Sequence, residues 1–245
     1  MTDAKKEIKR ITAWIKDWFE ENGPRANAVI GISGGKDSSI CAALLVKALG
    51  KDRVIGVLMP DGTQADISDS RKLVEYLGIK FYEINIGPAT SALKASLAEH
   101  FELSSDTCIN IPPRIRMTTL YAVAQSQPNG GRVTNTCNKS EDYIGYSTKY
   151  GDAAGDFAIL ADLTVTEVLQ IGDALGLPKE LVHKAPSDGL CGLTDEDKIG
   201  FTYATLDKYI LEGVCEDEEI RKKIDRMHVL NLHKLKTIPG YKKDE

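Results

Sequence analysis

Ala28-Val29-Ile30-Gly31-Ile32-Ser33 runs directly into Gly34-Gly35-Lys36-Asp37-Ser38-Ser39, and the fold turns on this stretch. Its first six residues form a short apolar run of strand length, the pattern of a strand buried on both faces in a parallel sheet. The glycine pair makes a turn, and residues 38–49 read as a helix closed by Gly50. Strand, glycine turn and helix in that order put a loop at the carboxyl end of a strand. Open α/β sheets bind their ligands there.

The same alternation extends outward. Ile8, Ile11, Ile15, Trp18 and Phe19 fall at helical spacing, which predicts an amphipathic helix over 3–22, ended by Gly23-Pro24. Further on, strands are expected at 54–59, 81–86 and 132–136. Helices are expected at 67–77, from Pro88 to about residue 101, and at 113–127. Beyond Thr164 the pattern is all helical, with segments near 164–175, 195–211 and 217–234 and a polar, frayed end at 241–245. The expected class is α/β, a doubly wound parallel sheet with a helical C-terminal part, in one domain spanning 1–245.

A chain of 245 residues, 42% hydrophobic and 27% charged, has the composition of a soluble globular protein large enough to bury a full core. Its net charge of −5 disfavours a general nucleic-acid binder. The start, MTDAKKEIKR, is charged and leads into no apolar signal core, and nothing approaches the roughly 18 consecutive apolar residues of a membrane span. Five cysteines, odd in number and without a CxxC pair, suggest neither a disulfide framework nor a zinc site. Reduced thiols in a cytoplasm fit best.

Gly31, Ile32, Ser33, Gly34, Gly35, Lys36, Asp37 and Ser38 form a candidate phosphate loop. Glycines let backbone approach an anion, while the serines and the N–H groups of a helix start supply donors. The pattern is neither a Walker A loop nor GxGxxG, since Ile30 and Asp37 stand where a Walker loop needs Gly and Ser or Thr. An acid inside an anion-binding loop repels a bare phosphate. The conflict disappears if Asp37 holds Mg²⁺ that bridges to phosphate oxygens.

This Ser-Gly-Gly-x-Asp-Ser string resembles the pyrophosphate loop of the N-type ATP pyrophosphatases. Three further segments choose within that superfamily: Asn110 to Tyr121, with Arg114, Arg116 and Met117; Thr136-Cys137-Asn138-Lys139-Ser140-Glu141; and Gly145-Tyr146-Ser147-Thr148-Lys149-Tyr150-Gly151-Asp152. With Lys184-Ala185-Pro186-Ser187 and Thr194-Asp195-Glu196 behind them, they resemble the ammonia-dependent NAD synthetases in order along the chain. The resemblance implies an adenine nucleotide alpha-hydrolase-like fold and a ligase of NAD biosynthesis. ATP would be cleaved to AMP and pyrophosphate, and ammonia would amidate deamido-NAD through an acyl-adenylate. It also implies a homodimer, and, with only about thirty residues before the loop, no glutaminase domain.

Carried over by position, the resemblance assigns Mg²⁺ to Asp37 and Glu141 and ATP contacts to the loop, Thr136 and Ser187. Deamido-NAD falls to Arg114, Lys149, Asp156, His233 and Lys234. Physically, Arg114, Arg116, Lys139 and Lys149 concentrate positive charge in an acidic chain, as a pyrophosphate and a carboxylate require. Arg114 and Arg116 lie two apart and cannot share a helix face, so Arg114 is assigned to substrate and Arg116 to solvent or structure. His233 and Lys234 have an alternative role in compensating a helix dipole. The other histidines, His100, His183 and His228, have no ligand or nucleophile spacing.

Four features depart from the family pattern or extend it. Pro112-Pro113 precedes the first Arg and is expected to re-aim a helix start. Asn135 stands where Gly is usual, which left-handed backbone geometry would tolerate. Val165 replaces a phosphate-binding Lys, with Lys184 as the substitute cation. The segment 186–194, with Gly189 and Gly192, is expected to close over the adenylate. Two other readings compete: a tRNA thiolase, disfavoured by the missing cysteine pair and basic surface, and an ATP-binding sensor without turnover, which Val165 keeps open.

Overall fold

Alternate residues of the first strand part to opposite faces of a sheet. In β1 (Asn27–Gly31), Ala28 and Ile30 enter one apolar core and Val29 enters another. The computed structural model describes residues 3–64, 67–183 and 194–242. Its elements run α1 (Ala4–Asn22), β1, α2 (Lys36–Leu49), β2 (Val54–Leu58), α3 (Ile67–Leu77), β3 (Lys80–Glu83), α4 (Gly87–Ala98), α5 (Ser105–Gln125), β4 (Gly131–Asn135), α6 (Lys139–Ile144) and β5 (Phe157–Ala158). There follow α7 (Val165–Leu175), α8 (Lys179–Val182), α9 (Asp195–Ile199), α10 (Tyr203–Glu212) and α11 (Glu218–Leu235).

The five strands pair in parallel in the order β3-β2-β1-β4-β5. The chain builds outward from β1 through β2 to β3, then crosses back to lay β4 and β5 on the other side. The order therefore reverses between β1 and β4, a topological switch point. α1, α2 and α7 cover one face around Ile15, Phe19, Ile40, Leu44 and Ile171, and α5 covers the other with Met117, Leu120 and Ala124. A third core, built on Ile144, Val165, Ile199, Tyr203, Leu206 and Ile224, joins α6, α7 and α9–α11 to the carboxyl end of the sheet. The doubly wound sheet with a helical C-terminal part is borne out.

Boundaries differ where tertiary contacts outweigh local signals. The helix expected at 113 begins at Ser105, capped by Ser104, and carries Pro112 and Pro113 inside it. The two prolines cannot donate to the carbonyls of Cys108 and Ile109. The turns before them are anchored instead by buried Ile111 and by Thr148 Oγ1, which donates to Asn110 Oδ1 at 2.7 Å. The single helix expected at 195–211 is two, because Gly200 ends α9 in the left-handed region and Thr202 caps α10. α6 and the two-residue β5 were not expected.

Among the described residues Cys41, Cys108, Cys137 and Cys215 are free thiols, and no helix is long and apolar enough to cross a membrane.

Candidate active site at the β1/β4 switch point

The loop after β1 is held by its own side chains. Ile32 N donates to Val57 O, continuing the β1–β2 pairing, and the chain then turns. Ser33 Oγ accepts from Gly35 N at 3.2 Å and lies 3.1 Å from Ser38 Oγ. Ser38 and Ser39 hydroxyls both donate to Gly35 O. Gly34 adopts φ +77°, and a Cβ there would meet Ser70 N and Asp69 Cβ at 3.0 Å, so both conformation and space demand glycine. Gly35 is the N-cap of α2 and brings no side chain to its first N–H groups. A helix start without a side-chain cap carries its dipole and donors toward the cleft, the arrangement that receives an anion.

The loop after β4 meets it. Asn138 is fully buried and is the N-cap of α6. Its Oδ1 accepts from Glu141 N at 3.0 Å, and Glu141 Oε2 accepts from Asn138 N at 3.3 Å, a reciprocal capping box. Asn138 Nδ2 donates to Asp37 Oδ1 at 3.0 Å, which joins the two loops across the switch point. Asp37 and Glu141, 101 and more residues from each other's loops in sequence, thus come together through one amide.

Lys36 completes this cluster. Its Nζ lies 2.8 Å from Asp37 Oδ2 and 4.0 Å from Glu141 Oε1, with the side chain 7% exposed. The ammonium also stands 5.7 Å above the Tyr203 ring, in the same apolar cluster as Val165. Burial, and then the nearby charge of Asp37, raise the pKa of the Glu141 carboxyl, while the Lys36 ammonium opposes them. Burial works against the Lys36 charge, but Asp37 and Glu141 outweigh it and raise its pKa. Two half-buried carboxylates that repel one another, with only oxygen donors, call for a cation between them. They fit a hard divalent ion such as Mg²⁺, and an ammonium already spans them.

The residues assigned to the larger substrate lie around the loop that follows α6. Arg114 Nε donates to Lys149 O at 3.2 Å, so these two are neighbours. Lys234 Nζ donates to Gly145 O and Ser147 O at 2.7 and 2.9 Å, and Asn231 Nδ2 donates to Ile144 O. The last turns of α11 therefore clamp the start of that loop. Gly145 adopts φ +63°, and a Cβ there would run into Asn231. His233 is exposed and turned back on Leu230 O. Asp156 is exposed but both its oxygens are tied to the fold: Oδ2 accepts from Val133 N at 2.7 Å, and Oδ1 accepts from the Tyr121 hydroxyl at 3.1 Å.

Two of the four cations read as counter-charge have other work. Lys139 pairs with Asp162 at 2.9 Å, and Arg116 Nε donates to Met59 O at 3.1 Å, the structural role expected of it. Asn135 is not in the left-handed region, where Tyr150 is the one described non-glycine residue. Its side chain instead donates to Asp152 O and Ala154 O and accepts from Cys137 N, tying β4 to the 145–156 loop. Thr136 follows β4 directly, half-buried beside Asn138. Lys184, Ser187 and the expected closing segment up to residue 193 lie outside the described residues. The family resemblance assigns Asn138 no role, and the structure makes it the joint between the two loops. Its spacing to Glu141, Asn-x-x-Glu ahead of a helix, was the available signal.

The sequence from residue 7 to residue 245 matches the NAD synthase family. The chain belongs to that family. The NH(3)-dependent NAD(+) synthetase of Thermoplasma acidophilum is 38% identical over 241 residues, 96% of either protein. Among solved structures, the NMN synthetase of Francisella tularensis superposes with a TM-score of 0.90 at 34% identity, over 98% of this chain and 99% of that one. An NH3-dependent NAD synthetase of Campylobacter jejuni superposes at 0.78 with 26% identity, over 99% and 100%. This NAD synthase family member has the adenine nucleotide alpha-hydrolase fold of such enzymes and belongs to the ATP pyrophosphatase class.

Proposed function

We propose that this chain is a ligase that amidates deamido-NAD with ammonia, cleaving ATP to AMP and pyrophosphate. The observation that carries it is the joint at the switch point, where Asn138 ties Asp37 of the glycine loop to Glu141 beside the open start of α2. A carboxylate is a poor electrophile and ammonia does not displace oxide from it. The nicotinate carboxylate oxygen therefore attacks the α-phosphorus of ATP, pyrophosphate leaves, and an acyl-adenylate forms. Ammonia then adds to the carbonyl carbon, loses a proton, and AMP departs. No protein nucleophile is required.

The chain's own part is positioning and charge neutralisation. The N–H groups of the α2 start and the Ser33 and Ser38 hydroxyls receive phosphate oxygens, with Gly31, Ile32, Gly34, Gly35, Lys36 and Thr136 lining the same ATP site and Ser187 completing it. Asp37 and Glu141 would hold Mg²⁺, which supplies charge neutralisation of the departing pyrophosphate when bound. Arg114, Lys149 and Lys234 face the nicotinate substrate, joined by His233. Asp156 acts from behind, through β4. Ammonia is the nitrogen donor, as the name of the Thermoplasma relative indicates, and the 245 residues make one synthetase domain. A homodimer would cover the exposed apolar side chains Val229 and Leu230 of α11, and the free thiols suit the cytoplasm.

A second substrate is favoured by one observation, the closer superposition on the Francisella tularensis NMN synthetase than on the Campylobacter jejuni NAD synthetase. Nicotinic acid mononucleotide presents the same carboxylate without the adenylyl half. The test of both readings is AMP release from ATP, Mg²⁺ and ammonia with each nicotinate nucleotide in turn. Release that requires deamido-NAD establishes the first, a higher kcat/KM for the mononucleotide establishes the second, and no nucleotide-dependent AMP rejects both.

A further inference from the structure

The placement of Lys36 at the switch point is not explained by phosphate binding alone. A lysine inside a phosphate loop is expected to extend toward the anion. Here it folds back onto the carboxylate next to it, 2.8 Å from Asp37 Oδ2, and its ammonium also reaches Glu141 Oε1 at 4.0 Å. The remaining oxygens of these two acids are already taken: Asp37 Oδ1 by Asn138 Nδ2, and Glu141 Oε2 by Asn138 N. The two oxygens not bonded to Asn138 are the two that face Lys36, one hydrogen-bonded to it and the other at the outer range of an ion pair.

The geometry points to Lys36 as a built-in competitor for the divalent-metal site, an ammonium that must leave Asp37 and Glu141 before a metal can bind them and that then serves the nucleotide phosphates. The inference rests on the metal role proposed for Asp37 and Glu141. A hard divalent ion takes carboxylate oxygens at about 2.1–2.5 Å, closer than an ammonium hydrogen bond, so metal and ammonium on the same oxygens would repel each other at short range. Nor can the displaced ammonium stay unpaired. The side chain is buried against the Tyr203 ring, and an uncompensated buried charge is costly. Asp195, whose Oδ1 accepts from the Tyr146 hydroxyl, adds a third negative charge acting on both Lys36 and Glu141. Three acids against one lysine repel a bare triphosphate, and a divalent ion shifts that balance by two charges. Metal and nucleotide therefore bind poorly alone and well together, with Lys36 as the linkage.

The test is Mn²⁺ binding followed by electron paramagnetic resonance, with and without α,β-methylene-ATP, in the full chain and in Lys36→Met. Without nucleotide, the variant is expected to bind Mn²⁺ about tenfold more tightly than the parent, and the enhancement of Mn²⁺ affinity by the nucleotide analogue is expected to fall by about tenfold. Lys36→Gln, which keeps a donor for Asp37, is measured alongside, with circular dichroism to establish that each variant is folded. Crystals of the parent soaked in Mn²⁺ separate displacement from a field effect: Lys36 Nζ is expected beyond hydrogen-bonding distance of Asp37 Oδ2. Unchanged Mn²⁺ affinity in both Lys36 variants, or metal bound with the Lys36–Asp37 contact intact, overturns the proposal. Asp37→Asn distinguishes the two levels. If it abolishes Mn²⁺ binding while the Lys36 variants change nothing, the metal site stands and the competition fails. If it leaves Mn²⁺ binding unaltered, the metal reading itself fails, and the competition with it.

Discussion

The two ends of α6 face charge handled in opposite ways. On its N-terminal side, Lys36, Asp37 and Glu141 are drawn inward and meet one another, with Asn138 as the shared partner. On its C-terminal side, Arg114 and Lys234 spend their donors on the carbonyls of Lys149, Gly145 and Ser147. Charges that meet each other leave a balance that a ligand can alter. Charges tied to carbonyls shape a loop and reach a ligand through that shape. The first region is built for chemistry and the second for fit.

Asp37→Asn should give the largest effect. It keeps the shape and a partner for Asn138 but removes the charge, so nucleotide-dependent AMP release should fall by roughly 10³-fold with an unchanged circular dichroism spectrum. Retention of most of the activity would erase the contrast between the loops. Next is Asp207, 3% exposed, which accepts from Ser140 Oγ, Thr166 Oγ1 and Thr166 N and so binds α6 to α7 and α10. Asp207→Ala leaves the buried Ser140 hydroxyl and two part-buried Thr166 donors without their acceptor and should cost about 2 kcal/mol in urea denaturation. A loss under about 1 kcal/mol would mean that α6 is held by its apolar contacts alone.

A smaller effect is expected at the fitting loop. Lys234→Met removes two hydrogen bonds from a charged donor, so KM for the nicotinate substrate should rise by about tenfold with kcat nearly kept, and amides near 145–148 should exchange faster. If kcat falls and KM does not, Lys234 belongs with the first region. The smallest effect concerns Tyr121 and Asp156. Burial, and then the Asp156 charge, push the Tyr121 phenol up to about 12 from an ordinary value of 10. The folded state therefore favours the protonated phenol. That contribution is complete below pH 10 and disappears as pH rises through 12. Absorbance titration should place Tyr121 near 12 and Asp156→Asn should lower it, while Tyr121→Phe should flatten the alkaline stability loss. A phenol titrating at 10 would remove Tyr121 from the partners of Asp156 and leave Val133 N alone.

Much of this molecule was legible before any coordinates. Apolar runs of strand length, each followed by a glycine or proline signal and an amphipathic stretch, specified β1 to β4, α1, α2, α3, α7 and α11, because periodicity and capping are local properties. The Ser-Gly-Gly-x-Asp-Ser string specified its loop for the same reason: a left-handed Gly34 pressed against Ser70 is a demand on one residue. What the string could not contain is the meeting of Asp37 with Asn138, since 101 residues separate them and only the reversal of strand order between β1 and β4 closes the gap. Nor could it show that Lys36 turns inward, that Asp156 is consumed by Val133 and Tyr121, or that prolines 112 and 113 sit inside a helix anchored from the 145–152 loop. In each case a polar side chain had several possible partners. Which one it took was decided by burial and by the elements that packed beside it, and those are properties of the tertiary structure.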